Sequence, residues 1–194
     1  CDRGLKVSPG VLVIIDGGKG LRAAVRQAWG GAALVQRCQW HKRENVVRHL
    51  PTGEQAHWRT RLQRAYRQPT YERARTALAQ LQRDLEDRNQ SAARSLAEGL
   101  EETLTLHRLE VFPLLGESFK TTNCIESINA AVAERCDKVD RWVNSSQRHR
   151  WLAAALLDIE PRLRRVKGYR HLPTLRAALQ RELKITSAAT NKAA

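Results

Sequence analysis

The sequence predicts an α/β protein that is mostly helical, a small parallel sheet followed by a long all-helical stretch. Three observations carry this. Val11 to Ile15 is an unbroken, largely β-branched apolar run that ends on Asp16 and then Gly17-Gly18, Ala33 to Arg37 is a second short run of strand character, and from Trp40 to Leu100 apolar residues recur at helical spacing.

The elements follow in order. Between the two strands, Leu21, Ala24, Val25 and Ala28 lie on one helical face until Gly30-Gly31 stops them. Strand, helix and strand at this spacing make a βαβ unit, with parallel strands and a right-handed crossover. From His41 the chain is expected to be helical, with Trp40, Val46, Val47 and Leu50 on its stripe and Pro51-Thr52-Gly53 as its end. Trp58, Leu62, Ala65 and Tyr66 mark the next helix, which breaks at Pro69, and Tyr71, Ala74, Leu78, Leu81 and Leu85 the one after it. Ala93, Leu96, Ala97 and Leu100 form a third stripe. Phe112-Pro113 leads into a helix that Thr121, Thr122 or Asn123 can cap. Beyond it runs a stripe of Trp151, Leu152, Ala155, Leu156, Ile159 and Leu163, with Pro161 as a kink or break. The expected divisions are 1–50, a helical segment at 51–110, 111–186, and a small polar tail at 187–194 that is expected to be disordered.

Charge narrows the partners. The formal net charge is +14. Residues 1–50 carry nine Lys/Arg against three Asp/Glu, residues 51–110 ten against nine, and residues 111–194 fifteen against eight, so the excess flanks a nearly neutral middle. Such a surface suits a polyanion, with nucleic acid the commonest, and it also describes a basic face that only aids solubility. No apolar run approaches the roughly 18 residues of a bilayer span, no signal-peptide pattern precedes the first strand, and a cytoplasmic protein is expected. The cysteines Cys1, Cys38, Cys124 and Cys136 show no disulfide framework and are expected to be reduced.

Two carboxylates stand out. Asp16 ends a strand, and Glu126 lies in the amide- and hydroxyl-rich segment Thr121-Thr-Asn-Cys-Ile-Glu-Ser-Ile-Asn129 that opens a helix. An acid at a strand terminus and one on a helix far away in sequence suit a carboxylate-held metal site for phosphoryl chemistry. Taken alone, an Asp before Gly-Gly equally describes a turn residue. Cys38-x-x-His41 supplies half of a zinc ligand set, but no second Cys/His pair follows at finger spacing, and no zinc is expected. Cys38 is expected to pack, His41 to be polar, and Trp40 to belong to the core. Arg141, Trp142, Gln147, Arg148, His149 and Arg150 mix cations with an aromatic, as phosphate contact with stacking requires, although Trp142 and Trp151 equally serve to anchor the last helix to the sheet.

Together these segments resemble the C-terminal part of the mutator-type transposases of bacterial insertion sequences, DDE enzymes with an RNase H-like core. The matching pieces are Ile15-Asp16-Gly17 with Lys19-Gly20-Leu21, Arg37 to Asn45, Thr122 to Asn129, Arg141-Trp142 with Gln147 and Arg150-Trp151, and Val166 to Arg170. The resemblance implies a partial RNase H-like fold with an all-helical insertion. It implies Asp16 and Glu126 as catalytic metal ligands, two Mg²⁺ or Mn²⁺ ions, and Cys38, His41, Asn123 and Asn129 as motif residues beside the active site. It further implies double-stranded DNA as partner, contacted by Lys19, Lys42, Arg43, Arg148 and Arg150, and a homo-oligomer in the full-length protein. The family's first acid is expected to be missing, since Asp2 is the sole acid before Asp16 and sits in a polar, turn-like setting, so that the chain reads as a truncated, inactive form. A non-catalytic DNA-binding or transposition-modulating remnant and a helical protein-interaction module remain as alternative readings.

Overall fold

The computed structural model describes residues 10–184, so the expectations placed on Cys1, Asp2 and the tail from residue 187 lie outside the described residues. Strands β1 (Val11–Ile15) and β2 (Ala33–Arg37) pair in parallel, Val11 opposite Ala33 and Ile15 opposite Arg37. Among the described residues the sheet has these two strands. Helix α1 (Lys19–Trp29) makes the crossover, as its glycine boundaries predict, and a 3-10 turn at Gly30–Ala32 returns the chain to β2. Of its expected apolar face only Val25 is buried.

Helix α2 (Gln39–Val47) begins earlier than expected because the N–H of Gln39, an orphan donor at a helix start, finds the carbonyl of Lys120 at 2.9 Å. Pro51 precedes α3 (Thr52–Tyr66), whose first turn includes Thr52 and Gly53. Helix α4 (Tyr71–Glu86) is capped by Thr70 and α5 (Gln90–Ala97) by Asn89, whose side chain accepts from Ala92 N at 2.9 Å. The expected third stripe is broken by Gly99 in a left-handed conformation (φ +64°), so Leu100 opens the short α6 (Leu100–Thr103), followed by α7 (Thr105–Arg108). These helices enclose one core that includes Val46, Trp58, Leu62, Leu78, Leu85 and Leu96.

A second core lies under the sheet. Leu106, Leu109 and Val111 pack with Leu115 of α8 (Phe112–Phe119) and with Leu175 and Leu179 of α11 (Leu172–Glu182), against Leu12 and Leu34 of the strands. The two cores are joined through Gln36, fully buried in β2. Its amide donates to the Thr103 carbonyl at 2.8 Å and accepts from Leu106 N at 2.9 Å, while the Thr105 hydroxyl donates to Val35 O at 2.6 Å.

Between α8 and α11, α9 (Asn123–Cys136) and α10 (Ser145–Ile159) pack against one another, clipped by Arg135 Nε on Asp158 at 2.7 Å. A 3-10 turn at Glu160–Arg162 absorbs Pro161, and another at Tyr169–His171 leads into α11. Here the structure departs from expectation. Of the stripe on α10 only Ala155 and Ile159 are buried, and Trp151, Leu152, Leu156 and Leu163 are exposed. Trp142 and Trp151 meet edge to face, ring centres 6.3 Å apart, and the helix that carries Trp151 packs on α9. The spacing marks an apolar face truly, but it does not say whether anything covers it.

His107 ties α7 to the end of α3. Its Nε2 donates to the Gln68 carbonyl at 3.0 Å, which fixes the proton on that nitrogen, and its ring stacks on Phe112 at 3.7 Å. Burial pushes the imidazole down from 6.5 to about 4. Because the folded value lies below the unfolded one, the neutral ring's contribution is fully present above about 6.5 and is lost as pH falls through about 4. Urea unfolding between pH 4 and 7 should therefore show stability falling with acid, by at most about 3 kcal/mol from this group. His107→Gln should flatten that slope; an unchanged slope would remove His107 as its source.

Candidate active site

Asp16 and Glu126 come to the same end of the molecule, the carboxyl end of the two parallel strands, where open α/β sheets place their ligands. Asp16 follows the last residue of β1 and is exposed; its Oδ1 accepts from Gly18 N at 3.0 Å. One carboxylate oxygen thus serves the turn that the Asp-Gly-Gly sequence also allowed. Gly17 follows with φ +104°, and the space a side chain would take is filled by Arg37, whose Nε lies 2.3 Å from an ideal Cβ position. Only glycine lets the Asp16 turn close over that guanidinium.

The link from Asp16 to Glu126 runs through Cys38. Its backbone N–H donates to Ile15 O at 2.7 Å, and its fully buried Sγ lies 3.2 Å from His41 Nδ1. The Thr122 hydroxyl lies 3.5 Å from the same sulfur and 3.3 Å from His41 Nδ1, and it hydrogen-bonds Glu126 Oε1. His41 Nε2 stands 3.9 Å from that Glu126 oxygen. Thr122 occupies the position before α9, where a cap was expected, yet its side chain makes no capping bond. It holds the carboxylate one turn on instead. This role was missed in the sequence, although Thr and Glu four residues apart on one helix face are within reach of each other.

Among the described residues no three of His, Cys, Asp and Glu gather closely enough to hold a metal ion. The site offers two carboxylates, each exposed and each with one oxygen engaged by a neighbour.

The residues expected to contact DNA divide. Lys19, Arg148 and Arg150 are exposed, Lys19 opening α1 and the two arginines on α10. Arg43 is half-buried and paired with Glu44 at 2.9 Å. Lys42 corrects the expectation. It is fully buried, and its ammonium donates to the carbonyls of Ser95 and Glu98 at the end of α5, 3.7 Å from the Glu98 carboxylate. Burial and the neighbouring Arg37 push that ammonium down to about 8, against the opposing pull of Glu98. Arg37 reaches the same helix end, donating to Glu98 O at 3.0 Å. Two cations thus satisfy the orphan carbonyls of α5 and dock it onto the strand and helix that carry the site. Lys42 is a structural residue, closed off from any nucleic acid. Trp40 corrects a second expectation: it is 44% exposed rather than core. Asn123 and Asn129 are exposed on α9.

The model of the Mutator family of transposases matches residues 2–165, which include both carboxylates and the Cys38 to His41 motif. The chain belongs to the Mutator transposase family. It is similar to the transposase for insertion sequence element IST2 of Acidithiobacillus ferrooxidans, 30% identical over 74% of this chain and 47% of that protein. It is also similar to the transposase for insertion sequence element IS256 in transposon Tn4001, in Staphylococcus aureus and Enterococcus faecalis, at 28% identity over 81% of this chain and 40% of those proteins. This Mutator-family chain thus spans less than half the length of the curated relatives it matches. No solved structure matches it. Among the described residues no helix is long and apolar enough to cross a membrane.

Proposed function

We propose that this chain supplies two carboxylates, Asp16 and Glu126, to a DDE-type transposase centre of RNase H-like design that cleaves insertion-sequence ends and joins them to target DNA. The observation that carries this reading is the chain of contacts from the end of β1 through Cys38 and Thr122 to Glu126, which sets the two acids at one end of the sheet. Family membership supports DNA as the substrate.

Two hard carboxylates suit Mg²⁺ or Mn²⁺, because Mg²⁺ keeps several waters and is commonly held by one or two carboxylates together with substrate phosphates. Asp16 and Glu126 would hold the ions. When bound, such a pair supplies activation of the attacking water or 3′-hydroxyl and stabilisation of the leaving oxygen. Around them, Thr122 fixes the Glu126 side chain, His41 buttresses Thr122, and buried Cys38 locks His41 in place. Lys19, Arg148 and Arg150 stand exposed to track the DNA backbone.

The test is ion dependence, read in a protein completed to the length of its relatives. Cleavage and strand transfer should require Mg²⁺ or Mn²⁺, and elemental analysis should find no stoichiometric zinc, since Cys38 and His41 are a half-set. Activity that survives EDTA would sink the metal reading, and one zinc per chain lost in Cys38→Ser would sink the structural reading of that motif.

A further inference from the structure

A cavity of about 200 Å³ opens beside the carboxylate site, between α2, α3 and the segment that leads into α9. Three aromatic rings line it, Trp40, Tyr66 and Phe112. Trp40 is the accessible one, 44% exposed and set edge-on to His41 with ring centres 4.8 Å apart. Lys120 and Arg67 bring positive charge to the wall. Arg43 also lines it, but Glu44 already engages that guanidinium at 2.9 Å. Among the described residues no acid lines the cavity.

Its position is as informative as its lining. Trp40 is the neighbour of His41 in α2, and Thr121 and Asn123, both on the wall, flank the Thr122 that holds Glu126. Anything seated there therefore adjoins the contact between Thr122 and Glu126. The volume lies below the roughly 300–1,000 Å³ of pockets that enclose a drug-sized ligand, so it admits one planar group and not an extended strand.

We propose that this cavity receives a single unpaired nucleotide of the DNA next to the scissile phosphate, its base stacked on Trp40 and its phosphate met by Lys120 and Arg67. The inference rests on the DNA-cleaving reading of the adjoining site. An aromatic side chain of a partner protein would fit the rings but would leave two cations without a counter-charge, whereas a nucleotide uses both. Stacking on an aromatic face tolerates any base, so the subsite grips an opened end without reading its sequence.

The experiment compares two hairpin duplexes bound by the 194-residue chain, one with a single unpaired 2-aminopurine and one with the same base paired. Binding should quench the unpaired probe, and the chain should prefer it. Trp40→Ala should remove the quenching and weaken the unpaired probe roughly 5- to 150-fold, the range that a base stacked on an aromatic supplies, and far more than it weakens the paired duplex. Trp40→Phe should keep most of both signals, and Lys120→Gln should lower the salt dependence of the unpaired complex by about one phosphate contact. Because Trp40 is so exposed, an unchanged unfolding midpoint in Trp40→Ala is expected and separates a binding loss from a folding loss. Tight binding of both duplexes without quenching or preference, or equal losses for both in Trp40→Ala, overturns the nucleotide subsite alone. Failure to bind either duplex overturns the DNA reading with it.

Discussion

Glu126→Gln is expected to abolish strand transfer, a loss of roughly a thousandfold or more, while DNA binding stays within about twofold. The amide keeps the shape and the hydrogen bond from Thr122 but removes the negative charge that a divalent ion needs. Charge stabilisation of that kind contributes several kcal/mol to the transition state, at about 1.4 kcal/mol for each factor of ten in rate. Glu126 is exposed and the amide can still accept from Thr122, so the fold should not register the change. Single-turnover strand transfer beside a filter-binding titration reads both quantities. Retained strand transfer would remove Glu126 from the site.

Lys42→Ala is expected to do the reverse, lowering stability by about 3–5 kcal/mol through groups that no DNA can reach. The substitution leaves the Ser95 carbonyl at the end of α5 without its donor and the Glu98 carbonyl with Arg37 alone, and it removes a long side chain from a fully buried position. It also loosens the contact between the helical block and the helix that carries His41. Urea unfolding measures the effect directly. A protein of normal stability with weakened DNA binding would instead restore Lys42 to the nucleic-acid surface.

What the sequence revealed and what it concealed have a common physical cause. Val11 to Ile15, α1 and Ala33 to Arg37 were legible because local signals agree: β-branched runs, a helical apolar face, and glycines at the boundaries. Asp16 and Glu126 stood out as residue types in their settings, but the contacts that link them, from Ile15 through Cys38 and Thr122, join residues more than eighty positions apart and only the fold reveals them. Lys42 was misread as a DNA contact because its true partners arrive more than fifty residues later with α5. A signal was present: Gln39, Lys42 and Val46 fall at helical spacing, and all three are buried on one face of α2. Trp40 was misread for the opposite reason. Its size argues for burial, but in α2 it lies off the face that Lys42 and Val46 share, and only the fold reveals the cavity it borders. The apolar stripe of α10 was legible as a stripe, and its exposure was not, because periodicity reports a face and never its cover.

The claim on which the rest depends is that Asp16 and Glu126 ligate the same divalent-ion site, and ligand replacement tests it most directly. Asp16→Cys exchanges a hard oxygen for a soft sulfur, which Mg²⁺ tolerates poorly and the softer Mn²⁺ accepts more readily. In a protein completed to the length of its relatives, Asp16→Cys should be inactive in strand transfer with Mg²⁺ and regain measurable activity with Mn²⁺. Full activity with Mg²⁺, or a loss that Mn²⁺ leaves untouched in a folded, DNA-binding protein, would contradict it.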